Sequence, residues 1–382
     1  MANEKKTVRE PSFILALVPI VAMIAFMLYC FRGHSETGYH DAHLPLVMSI
    51  IVACIVGFIC GHSFQEMLAG MVERLAASME AVLILATVGF LVTSFMLSGA
   101  IPTMIVYGLD LLTPKLFLPV GCILCAIVGM ACGSSWTTTA TIGLAFLGIG
   151  AGLGIPAPIT AGMIISGAYV GDKFSPLSDT TNLAAAVAET GLFDHVTAMV
   201  STTGPTLLLS LILYTILGLN VDTSAYDATV AEGIQEAFRS AFTISPILLL
   251  PIIVVIVMCI LRVPGLVGIA VSVATAVVFM LIFQSTDIYY SRSLGDIFDV
   301  LHYGHAVETG NAVADSILGK AKGMDGMMWT INLILVALAY GGALERCGCI
   351  EKLFGGLKHK IHSVGSLILA TLLTSIFCDA TM

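Results

Sequence analysis

The sequence predicts an all-α integral membrane protein, and three observations support that prediction. Of the 382 residues, 58% are hydrophobic and only 11% are charged. The mean hydropathy is +0.99. A soluble domain carries roughly 25% charged residues, so this chain has too few to cover a globule of its mass. Finally, the apolar residues fall into runs of about 20, the length of a helix that crosses a bilayer.

Each apolar run is long enough to span, and the first is retained because no small-residue cleavage site follows it. The predicted spans are residues 12–31, 44–61, 81–99, 116–132, 196–219, 244–261, 265–283, 327–344 and a last run that begins near Val364. Segment 63–80 differs, because Glu66, Glu73 and Arg74 lie off its apolar face. That pattern predicts an amphipathic helix in the membrane interface. Polar connectors are predicted at 101–115, 220–239, 284–322 and 346–360.

Positive residues near the first span predict the orientation. Lys5, Lys6 and Arg9 precede the span, and only Arg32 follows it closely. Because positive residues stay on the cytoplasmic side, we expect a multi-pass protein of the cytoplasmic (inner) membrane with a cytoplasmic N-terminus. Counting spans from there places connector 101–115 outside, whereas the positive residues of connector 346–360 place it inside.

The regions around these two connectors look like copies of each other. Aligning Gly99 with Gly348 pairs the regions without a gap, although few residues are identical. Opposite charge bias on the two connectors is what an inverted-topology repeat predicts. We therefore expect two inverted repeats with discontinuous helices and re-entrant or interfacial segments. The expected organisation is 1–80 for N-terminal spans and the amphipathic helix, 81–195 for the first repeat, 196–325 for intervening spans and loops, and 326–382 for the start of the second repeat.

Several function classes find no support in the sequence. The Lys and Arg residues are scattered, so no basic stripe for nucleic acid exists. The glycines of 148–154 lack the Lys and Ser or Thr of a phosphate-binding loop. Cys122 and Cys125 form one CxxC pair without a second, and no HExxH or GxSxG motif of an enzyme is present. His34, His40 and His43 surround Asp41 in the first outer loop, where an ordinary loop is favoured over a metal site.

The chemistry is concentrated between residues 133 and 182. A stretch of one glycine and six hydroxyl residues at 133–141 interrupts an apolar run. For Ser134, Ser135 and Thr137 we favour a helix break that exposes polar groups over a kinked helix, because irregular backbone at membrane depth must line a cavity or be buried. For Thr139 and Thr141 we favour hydroxyls bonded to their own preceding carbonyls.

A second polar stretch follows an apolar helix that is predicted to end near Gly171. It contains Asp172, Lys173 and Asp179, with Pro176 preventing a continuous helix. Ionisable groups in a membrane-embedded stretch by default mark ion or proton pathways; the alternative is an aqueous loop between two spans. The apolar helix before it, 157–171, is short for a full crossing and is predicted to be a half-helix. Lys173 is either a counter-charge or a snorkelling surface residue.

These residue types suit a hard monovalent cation. Residues 179–182 supply carboxylate, hydroxyl, amide and carbonyl oxygens, the donors that hard cations take. A carboxyl group removed from water also binds a proton more readily. Sodium and a proton would then compete for one site, which is sufficient for exchange if the site opens to each side in turn.

The run from Gly167 to Ala184, with Gly133 to Thr137 upstream, resembles the NhaC family of sodium/proton antiporters. The letters that carry the resemblance are GAYVGDKFSPLSDTTNLA and GSSWT. The resemblance implies two inverted repeats, each with a discontinuous helix, and a family that includes exchangers of organic anions such as malate and lactate. The order of spans agrees along nearly the whole chain.

Carried over residue by residue, the resemblance implies an ion-binding and proton-coupling site made of Asp172, Ser178, Asp179, Thr180, Thr181 and Asn182. Asp179 and Asn182 are the expected sodium ligands, and Ser134, Ser135 and Thr137 form the first helix break. Asp379 and Thr381 resemble the start of the second motif, so we expect the second repeat to be incomplete in this chain.

The expected function is sodium/proton exchange by a secondary transporter, which is not an enzyme. The alternative is a sodium- and proton-coupled antiporter of organic anions or amino acids. A passive channel is disfavoured because no pore-lining ring or filter is apparent. Sodium is expected as a substrate, without a resident cofactor. The expected partners are sodium, protons and the lipid bilayer, and in the alternative also a small organic anion. No nucleic-acid partner is expected, and whether the protein forms a homodimer is left open.

Overall fold

The chain folds into helices in the computed structural model, which describes residues 8–32, 41–175, 178, 180–181, 184–185, 190–220, 228–261, 263–285, 293–358 and 363–381. No strand occurs among those residues. The helices, in chain order, are α1 Phe13–Arg32, α2 His43–Ile59, α3 Phe64–Ala77, α4 Met79–Leu97, α5 Ala100–Leu111, α6 Pro114–Cys132, α7 Ser135–Thr138, α8 Leu144–Gly152, α9 Ala157–Phe174, α10 Leu192–Leu219, α11 Ala228–Ala241, α12 Leu250–Ile260, α13 Gly265–Phe283, α14 Leu294–Tyr303, α15 Ala312–Leu318, α16 Asp325–Arg346, α17 Cys349–Lys358 and α18 Val364–Thr381.

Five of the described helices are long and apolar enough to cross a membrane, namely Phe13–Phe31, Pro114–Ala131, Leu192–Leu219, Gly265–Phe283 and Asp325–Arg346. Two bent helix pairs raise the number to seven if each pair counts as one span. The five single helices overlap predicted spans, as does the second helix of each bent pair. The first helices of the pairs, Phe64–Ala77 and Thr229–Ala241, fall mainly in the predicted interfacial segment 63–80 and the predicted connector 220–239. The prediction of an α-helical membrane protein is therefore confirmed at the level of length and composition.

The chain divides into two compact units, one made of Met1–Leu83 with Met328–Met382 and the other of Ile84–Met327. In the first unit, α1 packs against α2 and α17. Its core includes the fully buried residues Ala16, Ala53, Met67, Ala343 and Cys349. Helix α3 begins with a capping box, in which Ser63 accepts from the backbone of Glu66 while the Glu66 side chain accepts from the Ser63 backbone.

The second unit contains the larger core. Its largest fully buried side chains include Phe95, Ile101, Phe117, Leu118 and Phe238. Phe117 of α6 and Phe146 of α8 meet edge to face, with ring centroids 6.0 Å apart. This packing involves α6, which ends just before the polar stretch at 133–141, and it lies beside α9, which carries Asp172.

Three of the predicted connectors contain helices of their own within this unit. Helix α5 occupies connector 101–115, and Ile101, Ile105 and Val106 on it are fully buried. Helix α11 occupies connector 220–239, with Ile234 and Phe238 fully buried. Helices α14 and α15 lie in connector 284–322. The description of these segments as plain connectors is therefore wrong, because short helices with one apolar face bury that face against longer ones.

Polar contacts fix α11 on α5. The side-chain amide of Gln235 donates to Asp110 Oδ1 at 2.8 Å and to the carbonyl oxygen of Val106 at 3.0 Å. Arg239 and Asp110 form an ion pair at 3.6 Å. The predicted span 244–261 begins with a 3-10 turn, Pro246–Leu249, which continues directly into α12. The bend of 91° lies before this turn, between the helix that ends at Ala241 and the one that begins at Pro246. Pro246 suits the first turn of a helix, where its missing backbone donor has no intrahelical partner.

Helices α6 and α9 approach each other more closely than side chains would permit. A Cβ atom on Gly171 would lie 2.2 Å from the carbonyl oxygen of Ala126, and one on Gly167 would lie 2.3 Å from that of Cys122. A Cβ atom on Gly129 would lie 2.7 Å from the carbonyl oxygen of Ala168. We call Gly129, Gly167 and Gly171 the glycine interface. Small residues of this kind let membrane helices touch along their backbones.

The two regions that align with each other share a local pattern. Gly99 and Gly348 are both left-handed, with φ of 83° and 74°. Each stands between a long helix and a short one, α4 and α5 in the first case and α16 and α17 in the second. The short helix is followed by α6 in the first region and by α18 in the second, and the gapless alignment that pairs the glycines also pairs these two helices.

Candidate ion-binding site

The site begins where α6 is interrupted. Gly133 takes the left-handed conformation, with φ 64° and ψ 26°, while its N–H still donates to the carbonyl oxygen of Gly129 at 2.8 Å. Ser134 is extended, with φ −150° and ψ 114°, and its hydroxyl oxygen accepts from the Thr137 N–H at 3.2 Å. The Thr137 hydroxyl also donates to Ser134 Oγ, at 3.2 Å. The chain thus stops one helix and starts another within two residues.

The threonines after the break bond back to the preceding turn. Thr139 donates to the carbonyl oxygen of Ser135 at 2.8 Å, and Thr141 donates to that of Thr137 at 2.7 Å. The expectation for these two hydroxyls is confirmed. A π-helical segment, Thr139–Gly143, follows α7 and leads into α8. Insertions of this kind inside helices are frequent at functional sites.

Asp172 lies in the last turn of α9 and is 5% exposed. Its Oδ2 atom accepts from the hydroxyl of Ser135 at 3.4 Å and from the hydroxyl of Thr180 at 3.5 Å. These distances are longer than the roughly 2.7 Å of a close O–H···O bond. The helix break and the second polar stretch therefore converge on one carboxylate oxygen, with space between the groups.

The predicted start of the unwound stretch is wrong by three residues. Helix α9 continues through Asp172 and Lys173 to Phe174, so it has 18 residues, three more than predicted. Its length is about 27 Å at 1.5 Å per residue. Ser175 is extended, with φ −84° and ψ 123°. The helix ends there because a residue before proline is forced out of the α region.

The hydroxyl residues beyond Ser175 fold back onto the end of α9. The hydroxyls of Ser178 and Thr180 lie 2.9 Å apart. The Thr181 hydroxyl donates to the carbonyl oxygens of Asp172 and Lys173, at 3.3 Å each. Ser178 and Thr181 are buried and Thr180 is exposed. This segment covers the open C-terminal end of the helix and brings a group of hydroxyls to the carboxylate.

The remaining predicted ligands are described less completely. Asp179 and Asn182 lie outside the described residues. Asp379 and Thr381 belong to α18, of which the structure describes the backbone at these positions. No group of three or more His, Cys, Asp or Glu side chains able to hold a metal ion occurs among the described residues.

A cavity next to the π-helical segment was not predicted. Its volume is about 350 Å³, and its walls are mostly apolar, with contributions from Val92, Gly143 and Ile164. Lys320 and Lys322 also line it, and within the described part of the chain neither has an acidic partner at ion-pair distance. Lys173 is the one cation that the sequence predicts near the site. The KxK spacing at 320–322 was visible, but nothing in the sequence placed it beside residue 143.

Known proteins resemble this chain along most of its length. A profile of the Na⁺/H⁺ antiporter family matches residues 167–382. The Na⁺/H⁺ antiporter NhaC of Alkalihalophilus pseudofirmus is 35% identical over 88% of this chain and 71% of its own. The arginine/ornithine antiporter ArcD of Halobacterium salinarum is 34% identical over 97% of this chain and 75% of its own.

A third relative is the malate-2H⁺/Na⁺-lactate antiporter of Bacillus subtilis, which is 31% identical over 98% of this chain and 78% of its own. No solved structure matches. All three relatives are antiporters by name, while the substrates in their names differ.

Proposed function

This chain belongs to the Na⁺/H⁺ antiporter family, and from that premise we propose that it exchanges sodium ions for protons at the Asp172 carboxylate. It is a multi-pass membrane protein and a transporter. The observation that supports this site best is the convergence of Ser135, Asp172 and Thr180, which come from the helix break, from the end of α9 and from the polar stretch beyond it.

The spacing of these oxygens fits a cation held between them. Two oxygens that bind one hard cation at about 2.4 Å, at a right angle to each other, stand about 3.4 Å apart. The observed separations from Asp172 Oδ2 are 3.4 Å to Ser135 Oγ and 3.5 Å to Thr180 Oγ1. In the sodium-loaded form the hydroxyl lone pairs turn toward the ion. In the protonated form the carboxyl group is neutral and needs no cation.

Exchange follows from this competition. Asp172 carries either a sodium ion or a proton, so each ion that enters displaces the other. If the site opens to the two faces of the membrane in turn, one ion moves inward as the other moves outward. We propose Ser178, Asp179, Thr181 and Asn182 as further members of the site, and Ser134 and Thr137 as the residues that hold the break open. Asp379 and Thr381 are the proposed second-site residues.

The proposed architecture is an inverted repeat in the cytoplasmic membrane, with the N-terminus in the cytoplasm. The left-handed glycines Gly99 and Gly348, each followed by a short helix and then an apolar one, support that proposal. The charge bias of the two connectors supports the opposite orientation of the copies. The four segments 1–80, 81–195, 196–325 and 326–382 remain the proposed organisation.

Proteoliposomes test the proposed site. We expect a sodium gradient to move protons in the wild type, as followed by a pH-sensitive dye inside the vesicles, and Asp172→Asn to abolish that movement. Asp194→Asn is the matched control, because Asp194 is an exposed carboxylate in the first turn of α10. Normal exchange by Asp172→Asn would place the coupling elsewhere, with Asp179→Asn as the next variant to measure.

A second candidate function is favoured by one observation, the apolar cavity lined by Lys320 and Lys322. An organic carboxylate would place its hydrocarbon part against the apolar walls and its charge near the ammonium groups. In that case, unlabelled malate or lactate inside vesicles would drive uptake of the labelled compound, and the double variant Lys320→Gln, Lys322→Gln would lose that uptake. Thermal stabilisation by a carboxylate but not by sodium would favour this function over sodium/proton exchange.

A further inference from the structure

A polar cluster outside the proposed site joins the start of α2 to α16 within the unit that contains both. We call Asp41, His43 and Trp329 the His43 cluster. His43 Nδ1 lies 2.5 Å from Asp41 Oδ1, and the indole N–H of Trp329 donates to Asp41 Oδ2 at 2.8 Å. His43 Nε2 lies 3.2 Å from the carbonyl oxygen of Trp329, and the two rings meet edge to face at 5.3 Å. Both ring nitrogens of His43 are therefore engaged.

The partners of these two nitrogens decide the charge of the ring. One partner is a carboxylate and the other is a backbone carbonyl, and each can only accept a hydrogen bond. A neutral imidazole donates from one nitrogen, whereas an imidazolium donates from both. The complete arrangement therefore requires protonated His43, and loss of the proton removes one of the two bonds.

Asp41 remains ionised while histidine titrates. The hydrogen bond from the His43 side chain, reinforced by that from Trp329, lowers the pKa of Asp41 from 3.8 to about 2. Along the helices of the same unit, Arg32 ends α1, α2 carries no Asp, Glu, Lys or Arg, and Glu345 and Arg346 stand at the far end of α16 from Trp329. Among the described residues, the ion-pair partner of His43 is Asp41 alone. The cluster thus has one group, His43, whose full set of hydrogen bonds depends on whether it carries a second proton.

We propose that His43 is a proton-binding site separate from the transport site, and that its protonation locks the start of α2 to α16. At acid pH both bonds form and the two helices are joined. At alkaline pH one bond is lost and the connection weakens. The proposed orientation places the loop before α2 and the start of α16 on the outer face, so the cluster would respond to external pH. Only this last, regulatory consequence rests on the proposed function.

Trp329 itself reports on the cluster, because the chain has two tryptophans, Trp136 and Trp329. In a Trp136→Phe background all tryptophan emission comes from Trp329. An imidazolium quenches indole fluorescence more strongly than a neutral imidazole does, so we expect the emission to rise when increasing pH removes the proton from His43. His43→Gln is expected to abolish this transition. His62→Gln, at the other end of α2, is the matched control and should keep it.

A second variant protects the test against loss of folding. Asp41→Asn preserves the size of the side chain and removes the counter-charge, so we expect the fluorescence transition to move to lower pH. The assignment of His43 is overturned if Trp329 emission shows no transition in the folded Trp136→Phe protein. A transition that persists unchanged in His43→Gln would overturn it as well.

The regulatory part needs a transport measurement with the external pH varied at fixed internal pH. The ratio of the His43→Gln rate to the wild-type rate corrects for the effect of pH on the driving force. We expect that ratio to change roughly fivefold across the interval of the fluorescence transition, the factor that corresponds to one typical net hydrogen bond. A constant ratio, together with an abolished transition, would show that the cluster binds a proton without controlling exchange. Absence of exchange in the wild type would contradict the proposed function but not the fluorescence result.

Discussion

Replacement of Gly171 by alanine would force α6 and α9 apart at the glycine interface. The new Cβ atom would lie 2.2 Å from the carbonyl oxygen of Ala126 and 2.7 Å from the backbone nitrogen of Met130. Ordinary contacts begin near 3.4 Å, so the backbones must separate by about 1 Å. Overpacking of this kind costs about 1–3 kcal/mol, and the helix propensity of alanine returns only about 1 kcal/mol of that cost.

Gly162 on the same helix provides a matched control. A Cβ atom there would meet only the hydroxyl oxygen of Tyr214, at an ordinary distance of 3.5 Å. Gly162→Ala should therefore keep the propensity gain of about 1 kcal/mol without an opposing clash. The two variants are expected to differ by roughly 1–3 kcal/mol in the free energy of unfolding, since they share the propensity term and differ in the overpacking term.

The measurement is thermal unfolding of purified protein in detergent at one fixed scan rate, because unfolding of such proteins is often irreversible. We expect Gly171→Ala to unfold below the wild type and Gly162→Ala at or slightly above it. Sodium should also stabilise Gly171→Ala less, since the displaced helix end carries Asp172. If Gly171→Ala unfolded at the same temperature as Gly162→Ala or above it, the close approach of α6 and α9 would be refuted.

Three further predictions concern the site and the His43 cluster. Ser135→Ala removes the hydroxyl group that contacts Asp172. We expect the sodium concentration for half-maximal thermal stabilisation to rise about tenfold, the equivalent of about 1.4 kcal/mol. An unchanged concentration would exclude Ser135 as a ligand. Gly133→Ala places a side chain at φ 64°, which costs about 1–2 kcal/mol and should lower the unfolding temperature. The pKa of Asp41 is lowered to about 2 by its hydrogen bond from His43, so this carboxylate stabilises the fold above pH 4 and the contribution is lost as pH falls toward 2. The contribution is on the order of 1 kcal/mol, because a part-exposed pair is screened by water. Asp41→Asn should therefore reduce the fall in unfolding temperature that the wild type shows between pH 5 and 2.5. An unchanged fall would contradict the assignment of this contribution to Asp41.

The spans could be predicted because hydropathy measures what lipid requires of a helix. Helices α5 and α11 were missed because hydropathy does not detect a helix that contains several polar or loop-forming residues. Pro102, Gly108 and Asp110 on α5 are typical of a loop, and Glu232 and Arg239 on α11 are typical of a polar connector. Each helix buries one apolar face against neighbours that are distant in sequence, so their stability depends on tertiary contacts that a local pattern does not contain.

The chemistry of the site was readable from residue types, but its geometry was not. Asp172 and the hydroxyls around it stood out as polar groups in an apolar context. The contact between Ser135 and Asp172 joins residues 37 positions apart, and it depends on how α6 and α9 pack. The helical conformation of Asp172 was missed because a charged pair next to Pro176 resembles the beginning of a loop. Gly167 and Gly171 hold the last turns of α9 against α6, and this packing keeps Asp172 in a helical conformation.

The close contact between α6 and α9 also limits how the carrier can move. Backbones that touch at Gly129, Gly167 and Gly171 cannot slide along each other, because any displacement brings a Cα or Cβ atom of one helix against a carbonyl of the other. The two helices should therefore travel as one rigid body, with Asp172 fixed in it beside the end of α6. A conformational cycle must then bend elsewhere, and the left-handed Gly133 with the extended Ser134 after it is one such place. A sodium ion bound at Asp172 would move together with the rigid body formed by α6 and α9. It would not pass through a gap that opens between these two helices.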